Sequence, residues 1–96
     1  MKQAKWEVDK RFHLRVAPDE PVYTISVVCR FVELPVWTLR QLDRLGVLSP
    51  TRTAGQSRLY CSRDVERLRY IRFLMQSEKV NASGVKIILK TKGYLR

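Results

Sequence analysis

The stretch "PVWTLRQLDRL" holds side chains able to recognise a polyanion. Wound as a helix at about 100° per residue, it puts Pro35, Val36, Leu39 and Leu42 on one side. Trp37, Arg40, Gln41 and Arg44 fall on the other, with Thr38 at the flank. Guanidinium groups pair with guanine edges or phosphates, and a Gln amide bridges an adenine edge. A large indole on an otherwise polar face offers contact area to whatever those groups meet. Behind this segment, "GVLSPTRTAGQSRLY" supplies Arg52, Arg58 and Tyr60, and from Asp43 to Asp64 the chain carries four arginines and no acid in between. Each feature also has a plainer reading. The arginines and Gln41 can be a solvated face, Trp37 can pack on a neighbouring element, and the basic stretch can be an ordinary loop.

Other chemistries find no support in the residues. No Ser–His–Asp set, phosphate-cradling glycine motif or metal-ligand cluster is evident, so neither an enzyme nor a metal or other cofactor is expected. His13 is the one histidine and shares its parity with Glu7, Asp9, Arg11 and Arg15, which reads as a solvated side chain. Cys29 and Cys61 lack the spacing of a zinc site or a small disulfide framework. Cys29 sits among Val27, Val28, Phe31 and Val32 and reads as a buried, inert thiol. Cys61 lies near Arg58 and Arg63, whose charge favours a thiolate and leaves redox sensing open as an alternative.

The elements that must position these groups follow from pattern. In "KWEVDKRFHLRVA", Trp6, Val8, Phe12, Leu14 and Val16 share one parity, with Lys10 the exception, while Glu7, Asp9, Arg11, His13 and Arg15 share the other. That period predicts a half-buried strand, or a hairpin turning near Asp9 and Lys10. "APDEP" reads as a linker because its two prolines forbid a helix. Thr24 is positioned to cap "ISVVCRFV", Pro35 suits the first turn of the next helix, and Gly46 ends it. Val47 to Tyr60 reads as a β-hairpin with Gly55 permitting its tight turn. Ser62 is expected to cap a third helix with Val65, Leu68, Ile71, Leu74 and Met75 inward. Asn81 is expected to cap a fourth, with Val85, Ile88 and Leu89 inward.

Two helices followed by a basic hairpin predict a mainly α fold, a winged helix-turn-helix of four helices with a β-hairpin wing. It would span residues 22–96, preceded by an arm and linker over residues 1–21 that hold a short N-terminal β segment. The helix "PVWTLRQLDRL" would enter a major groove, with Arg52, Arg58 and Tyr60 on the flanking backbone.

Size and charge agree with this. At 96 residues the chain is one domain, and 19 Lys+Arg against 9 Asp+Glu give a formal net charge of +10. Such an excess points first to nucleic acid and second to an anionic membrane surface. No apolar run approaches the ~20 residues of a spanning helix, and the first residues are charged where a signal peptide is apolar. A cytoplasmic protein with no membrane partner is expected.

Taken together, "YTISVV", "TLRQ", "RLGVLSPTRTAG", "RLY" and "VNASGVKIIL" resemble the DNA-binding domain of the MerR family, and within it the heat-shock repressor (HspR-like) branch. The resemblance runs from Val22 to Lys90 and rests on the joined pattern T-L-R, R-L-G, P-x-R-T-x-G and R-L-Y. It implies that Thr38, Arg40 and Gln41 match recognition-helix positions, Arg58 and Tyr60 the phosphate-clamping wing residues, and Arg52 the basic residue entering the wing. It further implies a dimeric transcriptional regulator acting on inverted repeats, a repressor of stress genes, with a DnaK-type chaperone as co-repressor.

Three departures qualify it. Leu42 stands where the family usually has Tyr, and Pro35, Val36 and Trp37 stand where the branch often has His-Pro-Gln. The sequence also stops shortly after Leu89, so the family's C-terminal dimerisation coiled coil and any effector domain are expected to be missing. Self-association is then expected to fall to the strand Trp6 to Val16, the alternative being that this segment is a disordered basic arm or a strand folded back on its own domain. Two other readings compete: an excisionase-like architectural DNA-binding protein, and a protein-interaction module for an acidic partner that uses Trp37 and the N-terminal strand.

Overall fold

In the computed structural model the chain is described over residues 17–55 and 58–95. The element order is α1 (Ile25–Val32), α2 (Val36–Arg44), β1 (Thr51–Arg52), β2 (Arg58–Leu59), α3 (Ser62–Gln76) and α4 (Ala82–Thr91). This is the mainly helical, four-helix winged architecture that the sequence predicts. The expected N-terminal strand lies outside the described residues, as does His13.

Helix boundaries are set by local hydrogen-bond chemistry. The Thr24 hydroxyl accepts from the Val27 N–H at 3.4 Å and starts α1. The helix stops where Glu33 turns left-handed, φ 57°, and Leu34 N–H reaches back to Cys29 C=O. Pro35 sits at the cap position of α2, where its missing N–H costs nothing. Gly46 terminates that helix with φ 75°, donating to Asp43 C=O, while Val47 N–H donates to Leu42 C=O. These two bonds satisfy carbonyls that a helix end otherwise leaves open.

Downstream, the cap of α3 is Cys61 rather than Ser62. Asp64 decides this by accepting the Cys61 N–H on its carboxylate at 3.0 Å. Asn81 caps α4 as predicted, accepting from Gly84 N–H at 2.8 Å.

The core is one cluster built from every helix: Val28 and Val32 of α1, Leu39 and Leu42 of α2, Leu68 and Ile71 of α3, and Val85 and Leu89 of α4. Helix α1 packs on both α2 and α3, and α4 packs on α3. Val65 and Leu74 are also buried, whereas Met75 and Ile88 are only half-buried. The inward face of α2 is turned slightly from the expected one. Pro35 is exposed and Thr38, expected at the flank, is buried at 3% exposure. A threonine can fill that site because its methyl packs like valine.

The wing is minimal. Its two strands pair antiparallel with Thr51 opposite Leu59 and Arg52 opposite Arg58. It is anchored at its base, where Tyr60 and Tyr23 form a bridge: Tyr60 N–H donates to Tyr23 C=O at 2.7 Å, and Tyr60 C=O accepts from Tyr23 and Val22. The segment expected as a linker makes a turn closed by Glu20 N–H to Ala17 C=O, and Pro18 C=O accepts from Arg63 N–H at 3.1 Å. Gly55 lies in the wing's turn as expected, but its φ is not left-handed, and a Cβ there would meet nothing within 4 Å.

The two glycines should therefore respond differently to substitution. Gly46→Ala forces a side chain into a left-handed φ and should cost about 1–2 kcal/mol in urea unfolding. Gly55→Ala should stay within about 0.5 kcal/mol of the parent.

Candidate nucleic-acid interface

Helix α2 presents one outward stripe. Trp37 is 66% exposed, Arg40 and Arg44 are exposed, and Gln41 is half-buried. The spacing of three and four residues aligns them along one face. Thr38 is buried at 3% exposure and packs beneath this stripe rather than standing on it.

The wing continues this surface. Arg52 and Arg58 are both exposed and stand directly opposite each other in the ladder. Like charges in that position repel, and an anion between them removes the penalty. Asp43 on α2 lies 3.8 Å from the Arg58 guanidinium, a long, partly solvated pair worth little by itself. The pair marks where the wing's returning strand lies beside α2. Between helix and wing lies a cleft of about 330 Å³, lined by Arg40, Asp43 and Arg44 from α2 and by Pro50 and Arg58, with Ile25 and Tyr60 completing it. Three guanidiniums and one carboxylate line this space, a balance suited to holding a phosphate backbone.

Tyr60 corrects an expectation. Instead of extending from the wing as a clamp it is buried, at 1% exposure, and belongs to the core. Burial pushes its hydroxyl up to about 12, helped by Asp43, Cys29 and Asp64 and opposed by Arg58. Its task is to hold the wing's base through backbone bonds and ring packing. The importance of Asp43 was not legible either, because the bond that gives it a role spans the wing.

The cysteines are poorly suited to redox work. Burial raises the Cys61 thiol above its ordinary value, opposite to the lowering expected from Arg58 and Arg63. Burial raises Cys29 too, which agrees with an unreactive thiol, though its side chain is half-buried rather than fully enclosed. Among the described residues no cluster of His, Cys, Asp and Glu could hold a metal ion, and no helix is long and apolar enough to cross a membrane.

Two expectations follow from this geometry. Tyr60 favours its neutral form in the fold, so the stability it gives is complete below pH 10 and is lost as pH rises toward about 12. Urea unfolding should show roughly 2–3 kcal/mol of loss across that window from Tyr60, a share that Tyr60→Phe removes while any smaller loss from the raised thiols remains. Arg52→Ala and Arg58→Ala should each weaken binding to all duplexes about equally. Each should also reduce the slope of log K against log salt by about 1.

Residues 23–92 match the family model described as "MerR HTH family regulatory protein". Among curated relatives, the heat shock protein HspR of Streptomyces coelicolor is 46% identical over 81 residues, which is 84% of this chain and 54% of the relative. The HTH-type transcriptional regulators GlnR of Bacillus anthracis and Bacillus cereus are each 32% identical over 72 residues, 75% of this chain and 55% of theirs. The chain thus spans about half the length of the curated relatives it matches.

Proposed function

The chain belongs to the MerR family of helix-turn-helix regulatory proteins, and on that premise we propose that it is a sequence-specific double-stranded DNA-binding transcriptional regulator of the heat-shock type, acting as a repressor. The observation that carries this reading is the continuity of the α2 stripe with the wing. Arg40 and Arg44 share a single cleft with Arg58, and Arg52 stands across the ladder from Arg58. A helix with an exposed polar stripe fits the major groove, and a short basic hairpin fits the adjacent phosphates.

Roles divide accordingly. Arg40, Gln41 and Arg44 meet base edges or phosphates in the groove, with Trp37 at the leading end of the same helix. Arg52 and Arg58 set the register on the backbone. Thr38 and Tyr60 support these contacts from the core. The relatives are named as regulators and a heat shock protein, and no catalytic step belongs to the proposal.

The finer partners rest on the family resemblance. They are an inverted-repeat site bound by more than one copy and a DnaK-type chaperone as co-repressor, in a bacterial nucleoid setting; self-association through Trp6 to Val16 rests instead on the alternating apolar pattern of that segment.

Selection of duplexes from a random library with the purified chain should enrich one motif. On that motif Arg40→Ala should lose about 1–3 kcal/mol of binding, a bidentate contact's worth. An affinity within twofold of the parent would contradict the assignment of α2 as the reading helix.

A further inference from the structure

Trp37 remains the least explained exposed side chain on the recognition face. It is as exposed as any large apolar residue described, at 66%, yet it lies on the same stripe as Arg40 and Arg44. Arginine chemistry alone explains attraction to DNA and gives no reason to place an indole there. We infer that Trp37 reads a thymine in the major groove through its 5-methyl group, an inference that rests on the DNA-binding reading above.

Three observations support the assignment. Trp37 is the second residue of α2, and the N-terminal residues of a groove-inserted helix are those that meet base edges. The base edges of that groove expose one apolar group, the thymine methyl, beside an acceptor at O4. An indole supplies an apolar face for the former and a single N–H donor for the latter, and it has no acceptor for the exocyclic amino groups of adenine and cytosine. Trp37 also precedes Arg40 by three residues, about 4.5 Å along the helix axis, against a base rise of about 3.4 Å. The thymine it reads therefore neighbours the base pair that Arg40 meets.

The contact also sets preference. Phosphates and sugars carry no equivalent of the methyl, so a Trp37 lying on the backbone would weaken every duplex alike. A Trp37 lying on the methyl discriminates at one position.

The test replaces each thymine of the selected motif with deoxyuridine, one at a time, which removes the methyl and leaves base pairing intact. Binding of the parent, Trp37→Ala and Arg40→Ala is measured by fluorescence anisotropy, with circular dichroism to confirm that the exposed substitutions leave the helices in place. One deoxyuridine position should weaken the parent roughly fourfold, the worth of one buried methyl-sized group. Trp37→Ala should be indifferent at that position, while Arg40→Ala should keep the methyl effect although it binds more weakly overall. A parent that binds its motif specifically but shows no methyl-sensitive position overturns the inference and leaves the regulator reading standing. So does an undiminished methyl effect in Trp37→Ala, or a loss in Trp37→Ala that is equal on motif and scrambled duplex. Absence of any sequence preference in the parent overturns both.

Discussion

A hairpin with two residues in each strand cannot persist in water by itself. The wing exists because Tyr60 ties its base to the chain ahead of α1. Its N–H donates to Tyr23, its C=O accepts from Tyr23 and Val22, and its ring enters the core. Three features then depend on one residue. The returning strand is placed beside α2, Arg58 is brought within reach of Asp43, and the cleft between helix and wing acquires a defined width. The interface is therefore positioned by burial at its back, while the charges in front remain solvated and free to meet a partner. That separation suits a DNA-binding surface, since phosphate-contacting side chains adapt to the duplex only if they are not needed to hold the fold.

Electrostatics alone would oppose the arrangement. The chain carries a formal charge of +10, and Arg52 faces Arg58 across the wing's ladder. The described ion pairs, Arg58 with Asp43 and Arg72 with Glu33, are exposed or partly so and add little stability. What they do is orient. Arg72 of α3 holds Glu33, the left-handed residue in the turn between α1 and α2, at 2.9 Å. Asp43 faces Arg58 of the wing. Repulsion among the remaining cations persists in the free protein and is relieved when counter-charge arrives, which is how a basic surface stores affinity for a polyanion.

Much of this was legible in the sequence. Thr24, Asn81 and Gly46 mark their helix ends through chemistry confined to a few neighbouring residues, and the apolar stripe of α3 follows from period alone. Two departures share a cause: residue type is a poor guide to exposure. Thr38 and Tyr60 carry hydroxyls and fall on basic segments, so both read as surface, whereas tertiary packing claims the methyl of one and the ring of the other. The cap at Cys61 was missed because serine is the better capping residue. The signal available was Asp64, three residues after Cys61, in the position where a carboxylate reaches back to the cap N–H. Gly55 falls in the wing's turn as its type suggests, yet the turn does not draw on the left-handed φ that glycine permits. The Tyr23–Tyr60 bridge and the Asp43–Arg58 pair join segments far apart in the chain, and no local pattern encodes them.

The central claim is that α2 and the wing form one DNA-binding surface. A titration of the isotopically labelled chain with its selected duplex, followed by amide and indole resonances in heteronuclear NMR, tests it most directly. Shifts should concentrate on the Trp37 indole N–H, on the amides from Trp37 to Arg44, and on Thr51, Arg52 and Arg58, with the exposed face of α4 around Ile87 scarcely moved. Shifts centred on α4, with Trp37 and both wing strands unchanged, would contradict the account.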